Sequence, residues 1–309
     1  MNLKTIGKLT LLIAGIGIAT ELVKLLHANP DLSTPTMYTV MVNCLRPVSL
    51  LMFNPRLLVF HFEGINYLNL LFNALMLTGG IIFLLSNQKK IRLVRFAFSI
   101  IALNHLIMLF GNLFIQFSSL SPVVHSWIHF FMYVTVNILW FYISLKVLKT
   151  LNQTMKPATD ENYQAQQKED EFIDASKWQR FFHHVLDTFI CLLLLSPLSR
   201  LSYELGVGAV ERVAGQSMAI FTLLVLFSLI YFPFFETVFG ATPAKFLTET
   251  RTTTSDGDKI DFKLSVLRTF CRYIPFEPFS FLGSRGWHDS ISETRVIKEK
   301  GEEPVEVQA

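Results

Sequence analysis

Asp187 is an acid placed inside an apolar run, residues 181–198 (FFHHVLDTFICLLLLSPL), with Arg180 seven residues earlier and His183 and His184 between them. A helix turns about 100° per residue, so Arg180, His184 and Asp187 share one stripe and His183 flanks it. At a rise of roughly 1.5 Å per residue, Asp187 sits about 10 Å deeper along the axis than Arg180. Ionisable groups at membrane depth are costly and need a partner or a function. Two readings stand. In one, Asp187 is a proton or cation carrier, because a carboxyl removed from water readily takes up a proton, with the histidines as relays near neutral pH. In the other, Asp187 bonds a neighbouring helix and Arg180 anchors its own helix at the headgroups.

A second acid, Glu236, closes another apolar run in Tyr231–Gly240 (YFPFFETVFG). An antiparallel pair of spans brings Arg180 and Glu236 to similar depth, so an Arg180–Glu236 ion pair is one expectation and an interfacial Glu236 reaching water is the other. Next comes Gly240-Ala-Thr242-Pro-Ala-Lys245, which superficially resembles a phosphate loop. It lacks the second glycine and the Ser/Thr after the lysine, and it follows an apolar helix instead of a strand, so no nucleotide site is expected. Gly240 is expected to stop the helix and Lys245 to meet anionic headgroups. Gly286, His288 and Asp289 cluster an imidazole and a carboxylate near Ser290, without a nucleophile elbow; a local turn held by Asp289, with Trp287 at the interface, is the simpler reading. His125, His129, Tyr133 and Asn137 form a polar row at i+4 spacing, and another run offers Asn104, His105 and Asn112; a bis-histidine haem or metal site and a polar pathway are the sharper readings. Two histidines without a further ligand are a weak metal signal, and interhelical hydrogen bonding is the alternative. No metal and no cofactor are expected.

The elements that carry these residues follow from composition. Of 309 residues 51% are hydrophobic and 17% charged, with 29 Phe, which fits a multi-span membrane protein. Nothing suggests a nucleic-acid surface. Six runs have the length of a span: about 9–26, 67–86, 94–116, 126–148, 181–199 and 216–239. The N-terminal run reads as an uncleaved first span. Lys4 and Lys8, the Lys89–Arg95 loop, the linker lysines and the basic C-terminal part alternate with the uncharged loop 117–125 as six spans require, which puts both termini in the cytoplasm. Residues 27–66 then form an external segment with an interfacial or re-entrant piece near Arg46 and Pro47.

The polar linker is expected to be flexible. The expected organisation is a four-span bundle over 1–148, a linker over 149–177, a second domain over 178–298 and an acidic tail over 299–309. The fold class is all-α, polytopic, with about six spans and a small cytoplasmic C-terminal segment. In that segment Asp256–Gly257 signals a hairpin, and Phe262–Phe281, which carries Arg268 and Arg272, reads as interfacial with snorkelling cations.

The ordered set Arg180, Asp187, Glu236, Gly240, Thr242, Lys245, Asp256–Gly257, Leu267–Arg268, Arg272, Gly286, His288, Asp289, Thr294 and Val296 resembles the RDD family of membrane proteins over about residues 175–298. Ala244 stands where that family has glycine, and His183 where it has a small residue. The resemblance implies an integral membrane module. It also implies transport of an unidentified ligand, with cation/proton exchange among the activities put forward for the family. The expected partners are the lipid bilayer and, since six spans are few for a lone transporter, a second copy of the chain. The localisation expected is the cell membrane, and enzymatic activity is not. A non-catalytic membrane scaffold is the alternative.

Overall fold

The computed structural model describes residues 1–26, 45–48, 61–62, 65–117, 127–157, 172–194, 211, 213, 215–274, 277–280 and 286–301. Most of the expected external segment, the loop 118–126, the linker centre 158–171 and the tail 302–309 lie outside the described residues, as do the side chains of Asn112, His125 and His129. The chain is a polytopic helical membrane protein. Among the described residues, five helices are long and apolar enough to cross a bilayer, over Leu3–Val23, Tyr67–Leu85, Arg92–Phe110, Phe130–Asn152 and Phe221–Phe239. They belong to α1 (Leu3–Leu26), α2 (Tyr67–Leu85), α3 (Arg92–Phe117), α4 (Trp127–Asn152) and α6 (Gln216–Phe239). The sixth expected span corresponds to α5 (Lys177–Leu194). It falls outside that apolar class because Lys177, Arg180 and Asp187 lie within its described length.

Two compact units divide the chain: Met1–Val147 with Ile190–Val225, and Leu148–Phe189 with Leu226–Ala309. In the first, α1 packs on α2 and α2 on α3, and the two-residue strands β1 (His61–Phe62) and β2 (Ile65–Asn66) pair antiparallel. Ile6, Ile13, Phe72, Met76, Phe83, Phe98 and Ile101 are buried there. Small residues let the helices approach closely. A Cβ on Gly17 would lie 2.1 Å from Asn73 Oδ1, whereas one on Gly15 meets nothing within 4 Å. Polar groups add specificity: Asn69 donates to Glu21 at 3.1 Å, and Arg46 lies 3.4 Å from the same carboxylate oxygen. His105 sits 2.8 Å from Asn137 Oδ1 and 2.9 Å from the Pro47 carbonyl, stacked on Trp140. The described part of the polar row thus acts as interhelical bonding.

The second unit contains a sheet that the all-α expectation leaves out. β3 (Met155–Pro157) and β4 (Thr250–Thr254) both pair antiparallel with β5 (Thr294–Gly301), in the order β3-β5-β4. Register runs Thr250↔Lys298 to Thr254↔Thr294 on one side and Met155↔Gly301 to Pro157↔Glu299 on the other. Threonine-rich β4 suits a half-buried pleated surface. The expected hairpin at Asp256–Gly257 is reduced to one bridge, Thr253↔Lys259, because β4 takes its ladder from β5. The described ends of the expected flexible linker are tied to the same strand, through β3 and through the Asp174↔Ile297 bridge. Four short helices complete the unit: α7 (Pro243–Thr248), α8 (Phe262–Cys271), α9 (Glu277–Ser280) and α10 (Trp287–Ile291).

The glycine contacts give a paired prediction. Gly17→Ala should destabilise the first unit by about 1–3 kcal/mol through overpacking. Gly15→Ala should be neutral or stabilising by up to ~1 kcal/mol, since alanine is the better helix former. Thermal unfolding of the two variants in detergent, monitored by circular dichroism, checks both.

Candidate functional site: a buried charge network

The site is built on the end of α6 and the turn that follows. Gly240 adopts φ +73°, a conformation glycine takes without cost, and ends the helix as expected. Its amide donates to the Glu236 carbonyl, and its own carbonyl accepts from Thr252 N–H at 2.7 Å, which seats β4 beside the turn. Pro243 then opens α7, a position where its missing N–H does no harm. Tyr231, Phe235, Phe239 and Phe246 stack in sequence, with ring centroids 5.2 to 6.4 Å apart, and fix the turn against α6.

Asp187 is almost fully buried and accepts three bonds. Tyr231 Oη donates to Oδ1 at 2.6 Å, Thr242 Oγ1 to Oδ2 at 2.7 Å, and the Ala244 amide to Oδ1 at 3.3 Å. Thr242 is the residue before α7, and its hydroxyl is spent on Asp187 instead of capping its own helix. The acid of α5 therefore joins α6, the turn and α7.

Glu236 is fully buried and is the hub of the charges. Lys245 Nζ donates to Oε1 at 2.8 Å, Arg272 Nη2 to Oε1 at 3.3 Å, Arg268 Nε to Oε2 at 3.2 Å and Ser265 Oγ to Oε2 at 3.0 Å. Arg272 also lies over the Phe232 ring, 4.1 Å from its centroid. Lys245 bonds Thr252 at 2.5 Å as well. Arg268 continues the network to Asp289 at 2.7 Å and to the Thr294 hydroxyl. His288 lies between two acids: Nδ1 bonds Glu277, and Nε2 is 3.4 Å from Asp289. Gly286 precedes α10, and its carbonyl accepts from the Asp289 amide at 3.1 Å.

Several expectations are corrected by this geometry. Glu236 does not pair with Arg180; its cations come from Lys245, Arg268 and Arg272, which the turn and α8 deliver to the same carboxylate. Arg180 donates from Nε to the Ala175 carbonyl at 3.1 Å, and the Ala175 amide donates to Val296 of β5. Its described bond thus ties the start of α5 to the sheet. Lys245, 2% exposed, does not reach headgroups. Arg268, fully buried, does not snorkel, because an inward carboxylate is closer than the surface. His183, not His184, shares the buried face with Arg180 and Asp187: its Nε2 lies 2.6 Å from Thr248 and 3.2 Å from Thr250. His184 is half-buried, within electrostatic reach of Arg272, Glu277 and His288. Asp289 reaches across to Arg268 where a local turn was expected.

Tyr231, Ser265, Arg268, Arg272 and Glu277 are the network members that sequence reasoning did not place in the site. Ser265, Arg268 and Arg272 fall at i, i+3 and i+7, a spacing that marks one helix face. Tyr231 sits in an aromatic run that reads as packing, and nothing in its spacing sets it apart.

Residues 175–292 match the model of the RDD family. The chain carries an RDD domain. No curated protein and no solved structure matches the chain. The match begins at Ala175, the residue that Arg180 grips, and ends two residues before β5, so β3 and the strand that orders the sheet lie outside it. Within the RDD domain, Arg180, Asp187 and Asp289 occupy three separate places: the sheet anchor, the turn anchor and the far end of the Arg268 bridge. Among the described residues no group of three or more His, Cys, Asp or Glu is arranged to hold a metal.

Burial pushes Lys245 below the usual lysine range, with Glu236 opposing. Burial also pushes His288 below its ordinary value, with Asp289 opposing. Burial works against the Glu277 and Asp289 charges, yet the His288 hydrogen bond holds Glu277 low, and His288 with Arg268 holds Asp289 well below the usual carboxylate range.

Two predictions follow from these contacts. Glu236→Gln leaves three cations around a neutral amide and should cost about 3–5 kcal/mol, read as a large drop in the thermal midpoint; Glu236→Asp should cost less. The pH dependence has a definite sign. A histidine held neutral in the fold contributes stability that is complete above its unfolded value of about 6.5 and is lost as pH falls below it. Depressed carboxyls lose theirs in the same direction at lower pH. The thermal midpoint should therefore fall between about pH 7.5 and pH 5.5, and His288→Gln should flatten that part of the profile.

Proposed function

We propose that the RDD domain is a proton or cation exchange module of a membrane transporter, and that Asp187 is the group that takes up and releases the ion. One observation carries this reading. The two side-chain partners of Asp187 are hydroxyls, Tyr231 and Thr242. A hydroxyl donates to a carboxylate and can turn to accept from a carboxylic acid or to face a cation with its oxygen. Asp187 can therefore change protonation state without leaving a buried group unsatisfied. Glu236 cannot, because Lys245, Arg268 and Arg272 only donate. On this reading Glu236 is a fixed charge that holds α6, α7 and α8 together, and His183 and His184 tune the field around Asp187.

The scaffold reading rests on a different feature of the same residue. Asp187 receives donors from α6, the turn and α7, and a lock would use it in the same way. In either case the module is non-catalytic. Charge distribution supports cytoplasmic N- and C-termini; an N-terminal bundle over 1–148, an RDD domain over 178–298 and a homo-oligomer that supplies the spans one copy lacks belong to the same reading. The ligand is an inorganic ion on the exchange reading.

Asp187→Asn separates the two. Asparagine keeps an acceptor for Thr242 or Tyr231 but cannot titrate. In liposomes with an imposed pH gradient, the wild-type chain should carry proton-coupled cation flux. Asp187→Asn should abolish that flux while its thermal midpoint stays within a few degrees of wild type. Inert wild-type protein together with a marked loss of stability in Asp187→Asn would establish the scaffold.

A further inference from the structure

Helix α8 is built with its polarity reversed. Its buried residues are Ser265, Arg268, Thr269 and Cys271. Its exposed positions include Phe262 at 65%, Leu267 at 43% and Phe270 at 55%, with Lys263 in the first turn at the head of the same face, and Ile274 just beyond the helix is also open. Leu267, Phe270 and Ile274 fall at i, i+3 and i+7, one stripe. The neighbouring α10 repeats the pattern: His288 and Asp289 are buried, while Trp287 and Ile291 are exposed at i, i+4. The two helices pack on each other, and Arg268 and Asp289 form the ion pair between them.

In water this arrangement is unfavourable twice over, because it strips charges of solvent and leaves large apolar side chains wet. In lipid both signs reverse: ion pairs belong inside and apolar surface belongs outside. The depth of α8 is set by its own bonds. Arg268 and Arg272 hold Glu236, and Glu236 lies in the last turns of the Phe221–Phe239 stretch, long and apolar enough to cross a bilayer. A helix tied by two arginines to that carboxylate stays level with the end of the span. We infer that α8 and α10 lie in the acyl layer of the leaflet at that end of α6, with Phe262, Leu267, Phe270, Ile274, Trp287 and Ile291 against lipid chains. The charge network is thus roofed by two lipid-immersed helices. Their arginines point into the protein, the reverse of a surface helix whose cations reach for headgroups. The partner of this face is the bilayer itself.

The test uses the unmodified full chain in vesicles of phosphatidylcholine and phosphatidylglycerol that contain a phosphatidylcholine with a diazirine in its acyl chain. After photolysis, the protein is denatured and digested with trypsin, and adducts are read by mass spectrometry. Residues 264–268 and 269–272 should carry label at a level comparable to residues 213–245, which contain α6. That level should be several-fold above residues 252–259, which carry most of β4 and the polar turn after it. Labelling of 264–268 and 269–272 at the level of 252–259 overturns the inference. So does background lipid labelling combined with disulfide-linked dimers of Leu267→Cys beyond those of the parent chain, since a second copy would then cover the face. Ion flux plays no part in this readout, so the result stands apart from the role of Asp187.

Discussion

A buried carboxylate ringed by donors governs the second unit. Glu236 sits at the end of a span with every access to water closed, and four donors converge on it. Each donor comes with an element attached. Lys245 brings α7, and Ser265, Arg268 and Arg272 bring α8; through Arg268 the chain continues to Asp289 and α10. Removing a charge from water costs several kcal/mol per ion, and only good geometry offsets it. The network therefore specifies one arrangement of short helices that have little core of their own. The aromatic stack from Tyr231 to Phe246 supplies apolar contact around it.

Asp187 works by a different rule in the same unit. Its donors are neutral, and they hold the α7 turn to α5 without neutralising the acid. Two carboxylates close in the fold thus have opposite surroundings, one fixed by cations and one satisfied by groups that can also accept. Such pairs, whose environments pull their behaviour apart, are where acid–base roles are assigned in membrane and soluble proteins alike.

Much of this was legible in the residues. Length and apolarity marked five of the six expected runs as helices able to cross a bilayer, because a bilayer imposes a simple length rule. The seven-residue spacing put Arg180 and Asp187 on one face, and glycine at position 240 marked a helix end. The partners were not legible. Helical phase put His184 on the stripe with Arg180 and Asp187, whereas His183 takes that place because Thr248 and Thr250 receive it from elsewhere in the chain. Arg268 and Arg272 look like surface cations until Glu236 is known to lie beside them. The sheet was missed because β5 pairs with strands far away in the chain, and alternation in one strand does not name its neighbour.

That central strand has a topological consequence. Pro157 and Asp174 both rest on β5, opposite Glu299 and Ile297. Both described ends of the linker are thus held by one strand. Loop closure grows only slowly with length, by about 0.6 kcal/mol per doubling. A longer connection between those two ends therefore changes the cost of forming the seam only slightly. The two attachments, at Pro157 and Asp174, make β5 the strand on which the register of both linker ends depends.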